Sequence, residues 1–118
     1  MILANNKEVK VVAVDFDGTL DMTDTYPNIS QPNINLINLL INQKKNGVKL
    51  ILWTCREDKY LFEAVEWCSH YGLEFDAVNR NIPEVIKFFG HNGTKVSADV
   101  YIDEKTILPE KYLSAFQY

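Results

Sequence analysis

Two aspartates one residue apart, Asp15 and Asp17, stand in a Val-Asp-Phe-Asp-Gly-Thr run directly after an apolar stretch. Three further polar clusters follow apolar stretches in the same way: Thr54, Cys55 and Arg56; Asn79, Arg80 and Asn81; Asp103 and Glu104. If those stretches are parallel strands, all four clusters leave the sheet at its carboxyl edge, where open α/β sheets bind their ligands. Carboxylates crowded on one rim repel one another, and a hard divalent cation relieves the repulsion; Mg²⁺ is the usual occupant where oxygen ligands and water complete an octahedron. A metal-held phosphate beside a free carboxylate is an arrangement for in-line phosphoryl transfer, in which the protein supplies positioning and charge neutralisation.

The elements that must position these residues are readable from periodicity. Residues 9–15 form a nearly continuous β-branched run, as expected of a strand buried on both faces of a parallel sheet, and 48–54 form a second. Short strands are expected at 73–78 and 98–102. Between them, Ile34, Ile37, Leu40 and Ile41 make one helical stripe, with Pro32 in the first turn and Asn46-Gly47 as the stop. Leu61, Ala64, Val65 and Cys68 make a second stripe over 57–71. A short helix at 83–89 ends at Gly90, and a last helix at 107–116 carries Pro109 in its first turn. Strand and helix alternate throughout, which predicts an α/β fold: three layers, Rossmann-like, with a central parallel sheet and right-handed crossovers.

Length and composition set the frame around that pattern. With 118 residues, 47% hydrophobic and 24% charged, the chain reads as one domain, 1–118, able to bury its own core. Its two cysteines form no metal-ligand spacing and no disulfide framework, which points to a reducing compartment, the cytoplasm. The opening Met-Ile-Leu-Ala run is too short for a signal peptide and lacks its basic start, and no run is long enough to span a membrane. A net charge of −4 supplies no field to attract duplex nucleic acid or anionic lipid.

Val-Ala-Val-Asp-Phe-Asp-Gly-Thr-Leu at 12–20 resembles the first motif of the haloacid dehalogenase superfamily, and Ile-Leu-Trp-Thr-Cys-Arg at 51–56 resembles its second. Ala-Asp-Val-Tyr-Ile-Asp-Glu at 98–104 resembles the fourth. The likeness runs from residue 9 to about 107 and is nearest to a small subgroup without a cap domain. It implies that Asp15 is a nucleophile forming an aspartyl phosphate and Asp17 the general acid and base. It implies that Thr54 and the neighbouring Cys55 lie at the phosphate, and that Gly18 lets the chain turn sharply beneath it. Mg²⁺ would be held by the Asp15 carboxylate, the Asp17 carbonyl and Asp103, with Glu104 beside them either reaching the ion through water or facing solvent. An Asp at position 17 narrows the reaction to hydrolysis of phosphate esters. The family's third motif, a phosphate-neutralising Lys, has two candidates here. Lys95 fits the subgroup's local pattern but precedes its strand; Arg80 follows a strand on the correct edge, which favours it on geometry.

Blander readings compete with some of these residues. A calcium loop starting at Asp15 would need Gly at its sixth position and an acid at its twelfth, where this chain has Leu20 and Tyr26. Asp99 reads as structural and Cys55 as packing, for want of a His to activate it. Trp53, Trp67 and most Tyr and Phe residues read as core, His70 and His91 as surface. The rival functional class is a non-catalytic phosphate-binding or phospho-accepting regulatory domain on the same fold, against which Asp17 speaks; a scaffold that has lost activity is a third. The segments after Asp15 and after Thr54 are consumed by secondary structure, so no cap fits. Only 20–31 remains as a flap, where Asp21, Asp24, Tyr26 and Pro27 are expected near substrate. An open site of this kind suits a small phosphorylated metabolite, a nucleotide or an oligonucleotide end, and a homo-oligomer in which a partner subunit supplies the missing wall.

Overall fold

The computed structural model describes residues 8–116; the opening residues 1–7, with the apolar run judged too short for a leader, lie outside them. Four strands form one parallel sheet: β1 (Val11–Val14), β2 (Lys49–Leu52), β3 (Ala77–Val78) and β4 (Val100–Ile102), in the order β3-β2-β1-β4. Four helices intervene or follow: α1 (Ile34–Lys45), α2 (Asp58–His70), α3 (Pro83–Phe89) and α4 (Pro109–Ala115). The expected α/β architecture is therefore observed, with β1 and β2 in the centre where their apolar runs are covered on both sides.

Strand alternation divides the core. Val12, Val14, Leu50 and Leu52 face Ile37 and Leu40 of α1 and Ala64 and Cys68 of α2. The opposite face carries Ala13, Ile51 and Ala77, covered by Ile82, Val96 and the half-buried Val85 of α3. Helices on both faces give three layers. α4 buries none of its residues. Among the described residues no helix is long and apolar enough to cross a membrane.

Several element ends differ from the sequence expectation, and hydrogen bonds explain why. Pro32 lies outside α1: Asn33 is the N-cap, its side chain accepting from the Leu36 N–H, and Pro32 bridges to Asp21 instead. The strand expected at 73–78 is only two residues long. Leu73 N–H donates back to Cys68 O at the end of α2, and sheet contact starts at Asp76, which exchanges backbone and carboxylate bonds with Leu50. The strand expected at 98–102 starts at Val100. Ala98 N–H goes to the Tyr101 hydroxyl, and the Asp99 carboxylate accepts from Lys10 and Val11 N–H, which confirms its structural role.

Among the described residues no folded unit is inserted over the sheet edge. Between β1 and α1 the chain makes only a loop, tied at its base by the buried Asp21, whose Oδ1 accepts from the Thr23 hydroxyl at 2.8 Å and Gln31 N–H at 3.0 Å. Asp21 is thus an enclosed knot inside the flap.

Candidate active site

Register decides which residues meet. Val14 pairs with Leu52 on one side and Ile102 on the other, so Asp15, Trp53 and Asp103 leave three adjacent strands at one level. The ladder continues one step beyond, with Asp15 N–H donating to Ile102 O and Trp53 N–H to Val14 O, each at 2.9 Å. Alternation then places all three on the face of Ala13 rather than that of Val14. They line a cavity of about 370 Å³ together with Asp17, Thr54, Cys55, Glu104 and Lys105. The structure thus brings Asp15, Asp17, Thr54, Cys55, Asp103 and Glu104 together at one cavity.

Asp15 is the electrostatically perturbed member. Burial pushes its carboxyl up from 3.8 to about 6, a hydrogen bond from the Phe16 N–H partly offsets this, and Asp103, Asp17 and Glu104 each add repulsion. Such a carboxyl prefers either a proton or a cation.

Asp17 is held from beneath by a residue whose role the sequence did not disclose. The Arg56 guanidinium donates from Nη2 to Oδ1 at 2.7 Å and from Nε to Oδ2 at 2.9 Å, a bidentate fork. Arg56 is 1% exposed and lies 4.9 Å from the ring centroids of both Phe16 and Tyr26. Burial works to lower its pKa, but the Asp17 pairing more than offsets this and the net shift is upward, so the guanidinium stays charged. Its Nη2 also donates to Pro27 O at 3.2 Å, which clamps the flap to the sheet edge. Tyr26 and Pro27 therefore pack on Arg56, and neither they nor Asp24 line the cavity, a correction to the expected flap contacts.

Thr54 is fixed by two partners. Its N–H donates to Asn79 Oδ1 at 2.8 Å, and its hydroxyl accepts from Arg56 N–H at 3.2 Å, which leaves the hydroxyl proton to be donated elsewhere. Asn79 reaches it from a left-handed conformation, φ 53°, at the end of β3, a conformation Asn tolerates better than most residues. Gly18 has φ 79°, and a Cβ there would collide with the Glu104 carboxyl. Its N–H is taken by Asp21 O at 2.8 Å, so it contributes shape to the site and not a donor.

The residues present fit Mg²⁺. Among the described residues no three His, Cys, Asp or Glu side chains group to hold a metal on their own. Mg²⁺ however is usually bound through one or two carboxylates, with water and substrate phosphate completing its shell. Asp15 and Asp103 bring two carboxylates to adjacent strand ends, and the repulsion acting on Asp15 is what a divalent cation removes.

The expected phosphate-neutralising cations are elsewhere. Arg80 is exposed in the loop after β3, the strand farthest from β4, and Lys95 places Nζ 5.4 Å from the Tyr101 ring centroid; neither lines the cavity. The lysine on the cavity wall is Lys105, tied down by its N–H to Asp103 Oδ1 at 2.8 Å. Its signal was its adjacency to the acid pair. Cys55 is exposed on the same wall and is not a packing residue, whereas Cys68 is buried and inert, its thiol pushed up to about 12 by burial. His70 and His91 are exposed, as expected. Trp53, expected in the core, is 36% exposed, and Phe62, Phe88 and Phe89 are exposed more.

A conserved protein from Bacteroides thetaiotaomicron of solved structure is 35% identical to this chain, with 91% of this chain and 87% of that one aligned at a TM-score of 0.72. The chain belongs to the family of that protein. The likeness supports the α/β fold described above. No protein-family model and no curated protein matches the chain.

Proposed function

We propose that this protein is a phosphohydrolase of the haloacid dehalogenase type, cleaving phosphate monoesters through an aspartyl phosphate on Asp15. The observation that carries the reading is the convergence of Asp15, Asp17, Thr54, Asp103 and Lys105 on one cavity at the carboxyl edge of a parallel sheet.

Bound Mg²⁺ would supply charge neutralisation and hold a phosphate oxygen, with Asp15, the Asp17 carbonyl and Asp103 as its protein ligands. A carboxylate oxygen of Asp15 bonds to phosphorus as the bond from phosphorus to the leaving oxygen breaks. Asp17, one-third exposed at the cavity, passes a proton taken up from solvent to that leaving oxygen. Water then attacks the aspartyl phosphate and loses a proton to Asp17, which releases inorganic phosphate and restores both carboxyls. The Thr54 hydroxyl donates to a phosphate oxygen throughout, and the Lys105 ammonium offsets phosphate charge.

The test is hydrolysis of an aryl phosphate with Mg²⁺ by the wild type and by Asp15→Asn, which loses charge and nucleophile together and should fall by at least ~10³-fold. Undiminished activity in Asp15→Asn rejects the reading. The second reading, a phospho-accepting regulatory domain, is favoured by one observation: both Asp17 oxygens are engaged by Arg56. It predicts a single stoichiometric burst without turnover in the same assay.

A further inference from the structure

Trp53 lies one residue beyond β2 and one before Thr54, on the wall of the cavity that holds Asp15. Buried aromatics of this fold look different: Phe16 is fully enclosed, whereas Trp53 keeps 36% of its surface open. The indole is nevertheless held. Between β2 and β4 runs β1, whose Ala13 pairs with both Ile51 and Tyr101. A methyl at that position leaves a gap, and across it the rings of Trp53 and Tyr101 meet with centroids 5.4 Å apart at 55°. Tyr101 is fixed in turn, its hydroxyl donating to Val96 O at 2.6 Å and accepting from Ala98 N–H at 3.2 Å. A rigid indole thus stands beside the nucleophile with its back braced and part of its surface open. Such surfaces bind planar π systems by offset stacking more strongly than they bind alkyl groups of similar area.

We propose that Trp53 is a stacking platform for the leaving group, so that the site takes a phosphate monoester carrying a planar aromatic ring, of about mononucleotide size. This rests on the phosphohydrolase reading for the chemistry of the phosphate, and on Trp53 alone for the ring. Size follows from the cavity, whose roughly 370 Å³ lies at the small end of the ~300–1,000 Å³ common for small-molecule sites and holds one such ester.

The experiment compares adenosine 5′-monophosphate, ribose 5-phosphate and phenyl phosphate with Mg²⁺, for wild type, Trp53→Ala and Trp53→Phe. Base–aromatic stacking is worth between about fivefold and a hundredfold in affinity. The wild type should prefer the nucleotide over ribose 5-phosphate by that factor in KM. Trp53→Ala should erase the preference by raising KM for the nucleotide while leaving that for ribose 5-phosphate unchanged, and Trp53→Phe should keep most of it. A gain shared by phenyl phosphate assigns any aryl ester; a gain confined to the nucleotide assigns a nucleobase. Where Trp53→Ala does not fold, Trp53→Leu keeps bulk against Tyr101 and removes the ring face. Equal losses on all three substrates, or a wild type without preference, would overturn the proposal. Binding is read separately as quenching of tryptophan fluorescence by the nucleotide, present in wild type and Asp15→Asn and abolished in Trp53→Phe. Quenching without hydrolysis by the wild type rejects the hydrolase reading and leaves the platform standing; hydrolysis without quenching rejects the platform.

Discussion

Arg56 grips Asp17 from inside the protein: the arginine side chain has no solvent exposure, the aspartate side chain is one-third exposed, and two parallel hydrogen bonds of 2.7 and 2.9 Å join them. The acid at the cavity is thereby tied to the flap, because the same guanidinium stacks on Tyr26 and donates to Pro27 O.

Arg56→Ala should therefore act on stability and on the flap together. Removing one partner of a fully buried pair costs about 3–5 kcal/mol, and the partial hydration of Asp17 reduces this to on the order of 2 kcal/mol, measured by denaturant unfolding. Arg56→Lys, which keeps the charge and loses the fork and the stacking, should recover part of it. Limited proteolysis should cut within 22–31 sooner in both variants than in wild type. Unchanged stability and cleavage would show that the clamp is not holding the flap.

The raised Asp15 pKa makes a signed statement about stability. The folded chain keeps the Asp15 proton up to about 6, against 3.8 for the ordinary side chain, so between those values the native state binds more protons than the unfolded one. The contribution is present in full below the lower value and lost as pH rises through the upper. In chelator, the Tm of wild type relative to Asp15→Asn should fall from about pH 4 to about pH 7 and then level off. Mg²⁺ at neutral pH should raise the Tm of wild type more than that of Asp15→Asn. A difference independent of pH would contradict the repulsive cluster.

Much of this site is legible in sequence because strand ends are. Residues 12–14 and 50–52 are buried on both faces, and an apolar run that stops at an acid or a threonine locates a sheet edge. The edge strands were harder: β3 and β4 shrink because Leu73, Ala98 and Asp99 spend their hydrogen bonds on α2, Tyr101 and β1, bonds that no local pattern records. Arg56 was visible as a residue and silent as a partner, since Asp17 lies 39 positions away. Trp53 read as core because composition reports hydrophobicity without reporting that the helix on that face, α3, is short and buries none of its own residues.

Lys105 is the cationic residue on the cavity wall, where Arg80 and Lys95 are not. Lys105→Ala should lower kcat/KM for any phosphate ester by about 10²-fold, in the range of a lost charge-stabilising contact, while Arg80→Ala and Lys95→Ala should change it little. Steady-state kinetics on the three variants decides this; a dead Lys95→Ala beside a normal Lys105→Ala would reverse the assignment.

The central claim is the covalent role of Asp15, and trapping tests it most directly. Wild type mixed with an aryl phosphate and Mg²⁺, quenched in acid during turnover and digested, should yield the Asp15 peptide carrying phosphate by mass spectrometry. Asp15→Asn should yield none, and Asp17→Asn should accumulate more than wild type because discharge by water is slowed. Turnover of the ester by wild type with no phosphate on Asp15, or with phosphate on another residue, would contradict the account.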